Sequence, residues 1–150
     1  MTATNHAITG ALIGLAVGNP WLAVPLAVAS HFACDAIPHF AKGADTITSK
    51  WFVKLLAVEA LLCFLLVVFL AVNRPEHWWV GAVCAFSAAA PDFMWINKFR
   101  RARKGQDFIT NRNWLLRFHG RIQWFERPIG AVVEVVWAAA GLTLLTLIVV

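Results

Sequence analysis

Residues 51–72 read WFVKLLAVEALLCFLLVVFLAV, a run of 22 positions in which only Lys54 and Glu59 are charged, closed by Asn73-Arg74-Pro75. As a helix this run reaches about 33 Å, enough to cross a hydrocarbon core of about 30 Å. It predicts a membrane-spanning helix, so its neighbours are read against the same solvent. Downstream, Glu76–Asn97 is less apolar and rich in small residues, and Pro91 in its last turns predicts a kink or an early end. Pro128–Val150 is a further apolar run. Upstream, Pro20–Ile37 begins on a proline suited to a first helical turn and is limited by Pro38. Asn5–Val17 precedes it, stopped by Gly18-Asn19-Pro20; its 13 residues reach only about 20 Å, a half-span or a thin span. These two form a tight hairpin. The expected architecture is one all-α integral membrane domain over residues 1–150. Its helices fall at about 5–17, 20–37, 51–72, 76–97 and 128–150: a short first helix plus about four spanning helices.

Composition supports this frame. Of the 150 residues 60% are apolar and 14% charged, whereas a soluble domain has about 45–50% and about 25%, which excludes an ordinary globular protein. Cys34, Cys63 and Cys84 are odd in number, lack CxxC spacing and lie in apolar runs, so they form neither a disulfide framework nor a zinc knuckle. No basic region precedes the first apolar run, so the first helix is expected to be retained rather than cleaved. Nine of the 13 Lys and Arg fall between Lys98 and Arg127, Lys42, Lys50 and Lys54 flank the loop before residue 51, and only Arg74 is left for the opposite side. The positive-inside rule then places the N-terminus in the cytoplasm and the C-terminus outside. Trp21, Trp78 and Trp79 fall at the outer interface, and Trp51 and Trp95 at the inner one.

Ionisable side chains within spans are costly and need a partner, a cavity or a metal. His6 opens the first helix; His31, Asp35 and His39 end the second; Glu59, Asp92 and Glu134 belong to the other three. Under this topology all lie in the cytoplasmic half, the pattern of a single polar site that opens inward. His31 and Asp35 are at i and i+4, on one helical face and close enough to share an ion. Imidazole and carboxylate are zinc ligands, and three protein ligands with an open position suit a catalytic site whose bound water is made acidic. His6 and Asp92 are candidates to complete the shell. Glu59 and His39 are the candidate catalytic residues, with Glu59 or Glu134 serving as general base or orienting a ligand histidine. His77 and His119 read as ordinary interfacial residues.

Gly10, Gly14 and Gly18 recur every four residues on the first helix, a spacing that admits a close neighbour. The expected neighbour is the second helix, which would draw His6 toward His31 and Asp35. Residues 98–127 form a basic cytoplasmic segment in which Phe108, Trp114, Leu115, Phe118 and Trp124 alternate with basic side chains, as suits a helix lying in the interface. Membrane lipids, anionic phospholipids in particular, are the expected partners. A homo-oligomer is compatible with this reading, and nucleic acid is not expected because the bilayer explains the aromatics.

The stretch from Asn5-His6-Ala7-Ile8-Thr9-Gly10 to Gly14, the His31-x-x-x-Asp35-x-x-Pro38-His39 element and Pro91-Asp92 together resemble the YdjM-like inner-membrane metal-dependent hydrolase family, distantly related to zinc-dependent phospholipase C-like proteins. The resemblance covers mainly residues 5–40 and the turn at Asp92. It implies a prokaryotic inner-membrane protein with a divalent metal held by His6 and by the His31–Asp35 pair, and hydrolysis of a lipid or phosphoester. The leading functional expectation is a membrane-embedded zinc-type hydrolase acting at the cytoplasmic leaflet. The alternatives are a non-catalytic structural or metal-binding membrane protein and, third, a small ion or proton conduit. A relay needs polar groups on both sides of the bilayer, yet the outer halves of 51–72 and 128–150 are Leu, Val, Phe and Ala, with two threonines.

Overall fold

A computed structural model describes residues 1–40, 49–105 and 114–150. Its order is α1 (Ala3–Val17), α2 (Pro20–Ala36), α3 (Lys50–Asn73), α4 (Trp78–Ala89), a 3-10 segment (Ala90–Trp95), α5 (Ile96–Arg103), α6 (Trp114–Ile122) and α7 (Gly130–Val149). Among the described residues there is no strand, only an isolated bridge between His39 and Glu126. The expected all-helical class holds.

Among the described residues, three helical stretches are long and apolar enough to cross a membrane: Lys50–Asn73, Trp78–Arg103 and Gly130–Val149. The other expected span, α2, has 17 residues and reaches about 25 Å. Side chains such as Leu61, Phe64 and Val72 on α3 and Val135, Leu147 and Ile148 on α7 are exposed. Lys42 and residues 106–113 of the basic segment lie outside the described residues; α6 holds Trp114, Leu115 and Phe118 of its aromatic part, and Trp124 follows it.

Local chemistry explains the boundaries. Gly18 closes α1 at a φ of 68°, in the region where a Cβ is disfavoured. Asn19 caps α2 by accepting from the Trp21 amide at 3.0 Å, with Pro20 at the first helical position. Ser49 accepts from the Phe52 amide at 3.1 Å to open α3. The Thr2 side chain does not cap α1. Instead Glu59 of α3 accepts from the Thr4 amide at 2.8 Å and its hydroxyl at 2.6 Å, and Glu134 of α7 accepts from the Thr2 amide at 3.3 Å. Two carboxylates thus satisfy free N–H groups at the positive end of the helix dipole.

The short first helix is the central post of the bundle: α1 packs against α2, α3, α4 and α7. Ala7, Ile8, Ala11 and Leu15 are buried with Leu66, Leu70, Ala85 and Leu145. The glycine stripe does not face α2 as expected. A Cβ on Gly10 would collide with the Cys84 carbonyl, and one on Gly14 with the backbone of Val80 and Gly81, so the close approach is between α1 and α4. Gly18 abuts the His77 ring at the far end of the bundle. At the opposite end gather the starts of α1, α3 and α7 and the end of α2.

Candidate metal centre

Asp35 stands in the last turn of α2, with no exposed side-chain surface, and its two oxygens serve different neighbours. Oδ1 accepts from the Met1 amino group and lies 3.1 Å from His6 Nε2. Oδ2 lies 2.8 Å from His119 Nε2 and 3.3 Å from His31 Nε2. Both histidine nitrogens also lie 3.7 Å from Asp92 Oδ1 and 3.1 Å from each other. One ligand atom from each of His31, Asp35, Asp92 and His119 can be chosen so that all four fall within 4.8 Å of one another. Donors bonded at about 2.0–2.2 Å to a common ion stand about 2.8–3.6 Å apart, as octahedral neighbours or as tetrahedral corners. The spacing of these four atoms brackets that value.

The rings are aimed by their other nitrogens. His31 Nδ1 donates to the Ala88 carbonyl at 2.7 Å, which leaves Nε2 with its lone pair toward the group. That carbonyl is available because the backbone changes from α to 3-10 after Ala89, and the 3-10 partner of Ala88 is Pro91, which has no N–H. The early end expected at Pro91 is therefore present, and it also carries Asp92 to the site. His119 Nδ1 lies 3.3 Å from the Met94 sulfur, a weak acceptor, so its Nε2 too points inward. The His119 ring packs near Trp95 and Phe32. The two Nε2 atoms stand 3.1 Å apart with Asp35 Oδ2 at 2.8 and 3.3 Å from them, so the three atoms need a shared proton or a cation. A divalent cation would satisfy all three, and two carboxylates would balance its charge. His31, Asp35 and His119 are fully buried whereas Asp92 is 31% exposed, so the group opens on the Asp92 side.

The other sequence candidates surround this group. His6 stacks on His31 with ring centroids 4.0 Å apart and holds Asp35 from behind through Oδ1, so it stands behind the four-residue group. Its Nδ1 is buried without a hydrogen-bond partner. Glu59 is engaged at the start of α1. Glu134 also accepts from the Phe40 amide at 3.0 Å, and its backbone carbonyl accepts from Asn5 at 3.1 Å, tying α1, α7 and the segment after α2 together. His39 donates from Nδ1 to its neighbour Ile37 at 2.9 Å and places Nε2 3.6 Å from Glu126. Burial opposes the charged ring, but the Glu126 carboxylate and the Ile37 carbonyl hold its pKa above the ordinary value.

His119 corrects the sequence reading: it is completely buried and central rather than interfacial. A helical-face reading of 114–122 carries the signal, because Leu116, His119 and Gln123 fall at i, i+3 and i+7, and Leu116 is itself buried. Comparison with protein-family models, with curated proteins and with solved structures gives no match to this chain. Functional assignment therefore rests on the geometry and chemistry of the group.

Proposed function

We propose that this chain is an integral membrane protein that binds a divalent metal, zinc being the expected occupant, at His31, Asp35, Asp92 and His119. We further propose that the site performs hydrolysis of a lipid or other phosphoester at the cytoplasmic leaflet of a prokaryotic inner membrane. The membrane part is supported by three long apolar helices whose outward faces carry Leu, Val, Phe and Ile, surface that water does not tolerate at this extent. The metal part is carried by the common spacing of four ligand atoms on three separate elements. A metal held there supplies Lewis acidity and lowers the pKa of a bound water. The chain's own contribution is to fix both imidazoles through Ala88 and Met94, to hold Asp35 by its outer oxygen, and to leave the Asp92 side open. The basic residues of α5, Arg100, Arg101 and Arg103, lie beyond that opening along the chain and suit an anionic headgroup.

A second reading, a non-catalytic metal-binding protein, is favoured by one observation: four protein ligands fill a tetrahedral shell, the mark of a structural site. One experiment separates the two. Detergent-purified protein is expected to contain one divalent metal per chain and to release product from anionic phospholipid vesicles, with release abolished by a chelator and restored by zinc. Stoichiometric metal without any turnover supports the second reading. Metal-free protein whose melting is unmoved by zinc or chelator overturns both.

A further inference from the structure

Gln123 follows the last residue of α6, one helical turn beyond His119, and its backbone N–H donates to the His119 carbonyl at 3.3 Å. The side chain returns to the candidate centre. Its Nε2 lies 3.2 Å from Asp35 Oδ2 and 3.3 Å from His119 Nε2. These separations match those among the four ligand atoms, so the end of Gln123 occupies a fifth vertex of the same cluster. Two i, i+4 pairs meet here, His31 with Asp35 from α2 and His119 of α6 with Gln123 just past its end.

We infer that Gln123 is a fifth ligand of the metal, its amide oxygen entering the shell beside Asp35 and His119. This rests on the metal reading above and deepens it. Without an ion, the amide N–H groups suit the lone pairs of Asp35 and His119. With an ion between those groups, both lone pairs point at the cation, and an N–H at this vertex would present positive charge to it. The two ends of a carboxamide are nearly equal in shape, so a half-turn about the last side-chain bond puts the oxygen in the same place without moving the backbone. The resulting donor set is two nitrogens and three oxygens, harder than the two-imidazole, two-carboxylate set alone and beyond a closed tetrahedron. Gln123 is only partly buried, so its substitution leaves the packed interior in place.

The test uses cobalt(II) as the probe metal in the full-length detergent-solubilised protein, because its visible absorption strengthens as coordination falls from five to four. Wild type is expected to give the weaker five-coordinate spectrum. Gln123→Leu, which keeps the side-chain bulk and removes the oxygen, is expected to give the stronger four-coordinate spectrum and to weaken cobalt binding by roughly tenfold or more. Gln123→Glu restores an oxygen and is expected to return the spectrum toward wild type. Identical spectra and affinities for wild type and Gln123→Leu overturn the inference while leaving the four-residue site standing. Failure of wild type to bind cobalt at all overturns the metal reading, and this inference with it.

Discussion

Replacing Asp35 by Asn separates the proposed metal from the fold that would hold it. The side chain keeps its volume and Oδ1, which continues to accept from the Met1 amino group and His6. Oδ2 becomes an amide nitrogen. His31 donates through Nδ1 to Ala88, so its Nε2 carries a lone pair to which the new N–H groups can donate. The buried Met1 ammonium keeps an acceptor but loses its counter-charge, so the metal-free variant is expected to melt below metal-free wild type. What disappears is a charged ligand. An ion at one hundred times its dissociation constant stabilises the native state by about 2.7 kcal/mol. At about 2 to 4 °C per kcal/mol for a chain of this size, wild type is expected to melt about 5 to 11 °C higher in zinc than in chelator. Asp35→Asn is expected to show no resolvable difference between the two conditions. Thermal unfolding followed by circular dichroism in one detergent, with and without zinc, measures both quantities. Equal zinc-dependent shifts in wild type and variant would refute the placement of Asp35 in the shell.

Three further outcomes test the frame around the site. Gly10→Ala pushes a methyl into the Cys84 carbonyl, and since backbone must move the expected cost is about 1 to 3 kcal/mol, read as a lower melting temperature; an unchanged value would remove α4 as the partner of the stripe. Glu59→Leu strips the carboxylate from Thr4 and is expected to cost about 1 to 3 kcal/mol with metal content unchanged, whereas metal loss would place Glu59 at the ion rather than at the helix end. His39 has a pKa above its unfolded value through Glu126, so that pair contributes fully below about pH 6.5 and its contribution fades as pH rises through the folded value. Glu126→Gln is therefore expected to lower stability at pH 5.5 and to be indistinguishable from wild type at pH 9; an equal effect at both would show that charge is not involved.

The helices were legible because their signals are local. A largely apolar run of bilayer length, Pro20 at a helix start and Pro91 in the first turn of the 3-10 segment are each read from neighbouring residues. The His31–Asp35 pair was legible for the same reason, since i and i+4 share a face in any helix. What escaped depends on who faces whom. α1 is apolar almost all round, so its sequence does not distinguish a marginal half-span from the bundle's centre, and a glycine stripe announces a close neighbour without naming α4. His119 is separated from Asp35 by 84 residues, and in a segment dominated by arginines and aromatics its burial depends on α6 folding back over the end of α2. Gln123 carries no signal by type at all; only its spacing from His119 and the position of Asp35 bring it into view.

The separation of the ligands along the chain has a consequence for biogenesis. A Cys-x-x-Cys or His-x-x-x-His motif can seize an ion as soon as it leaves the ribosome. Here α2 supplies His31 and Asp35, the 3-10 segment supplies Asp92 and α6 supplies His119, so a half-inserted chain holds at most one fragment of the set. An ion bound at the proposed site would be captured only once the helices have assembled, and the native state would gain the full binding free energy with little lost to the unfolded chain. Occupancy would then be a certificate of completed assembly: a protein that has taken up the ion has also brought α6 down onto the bundle.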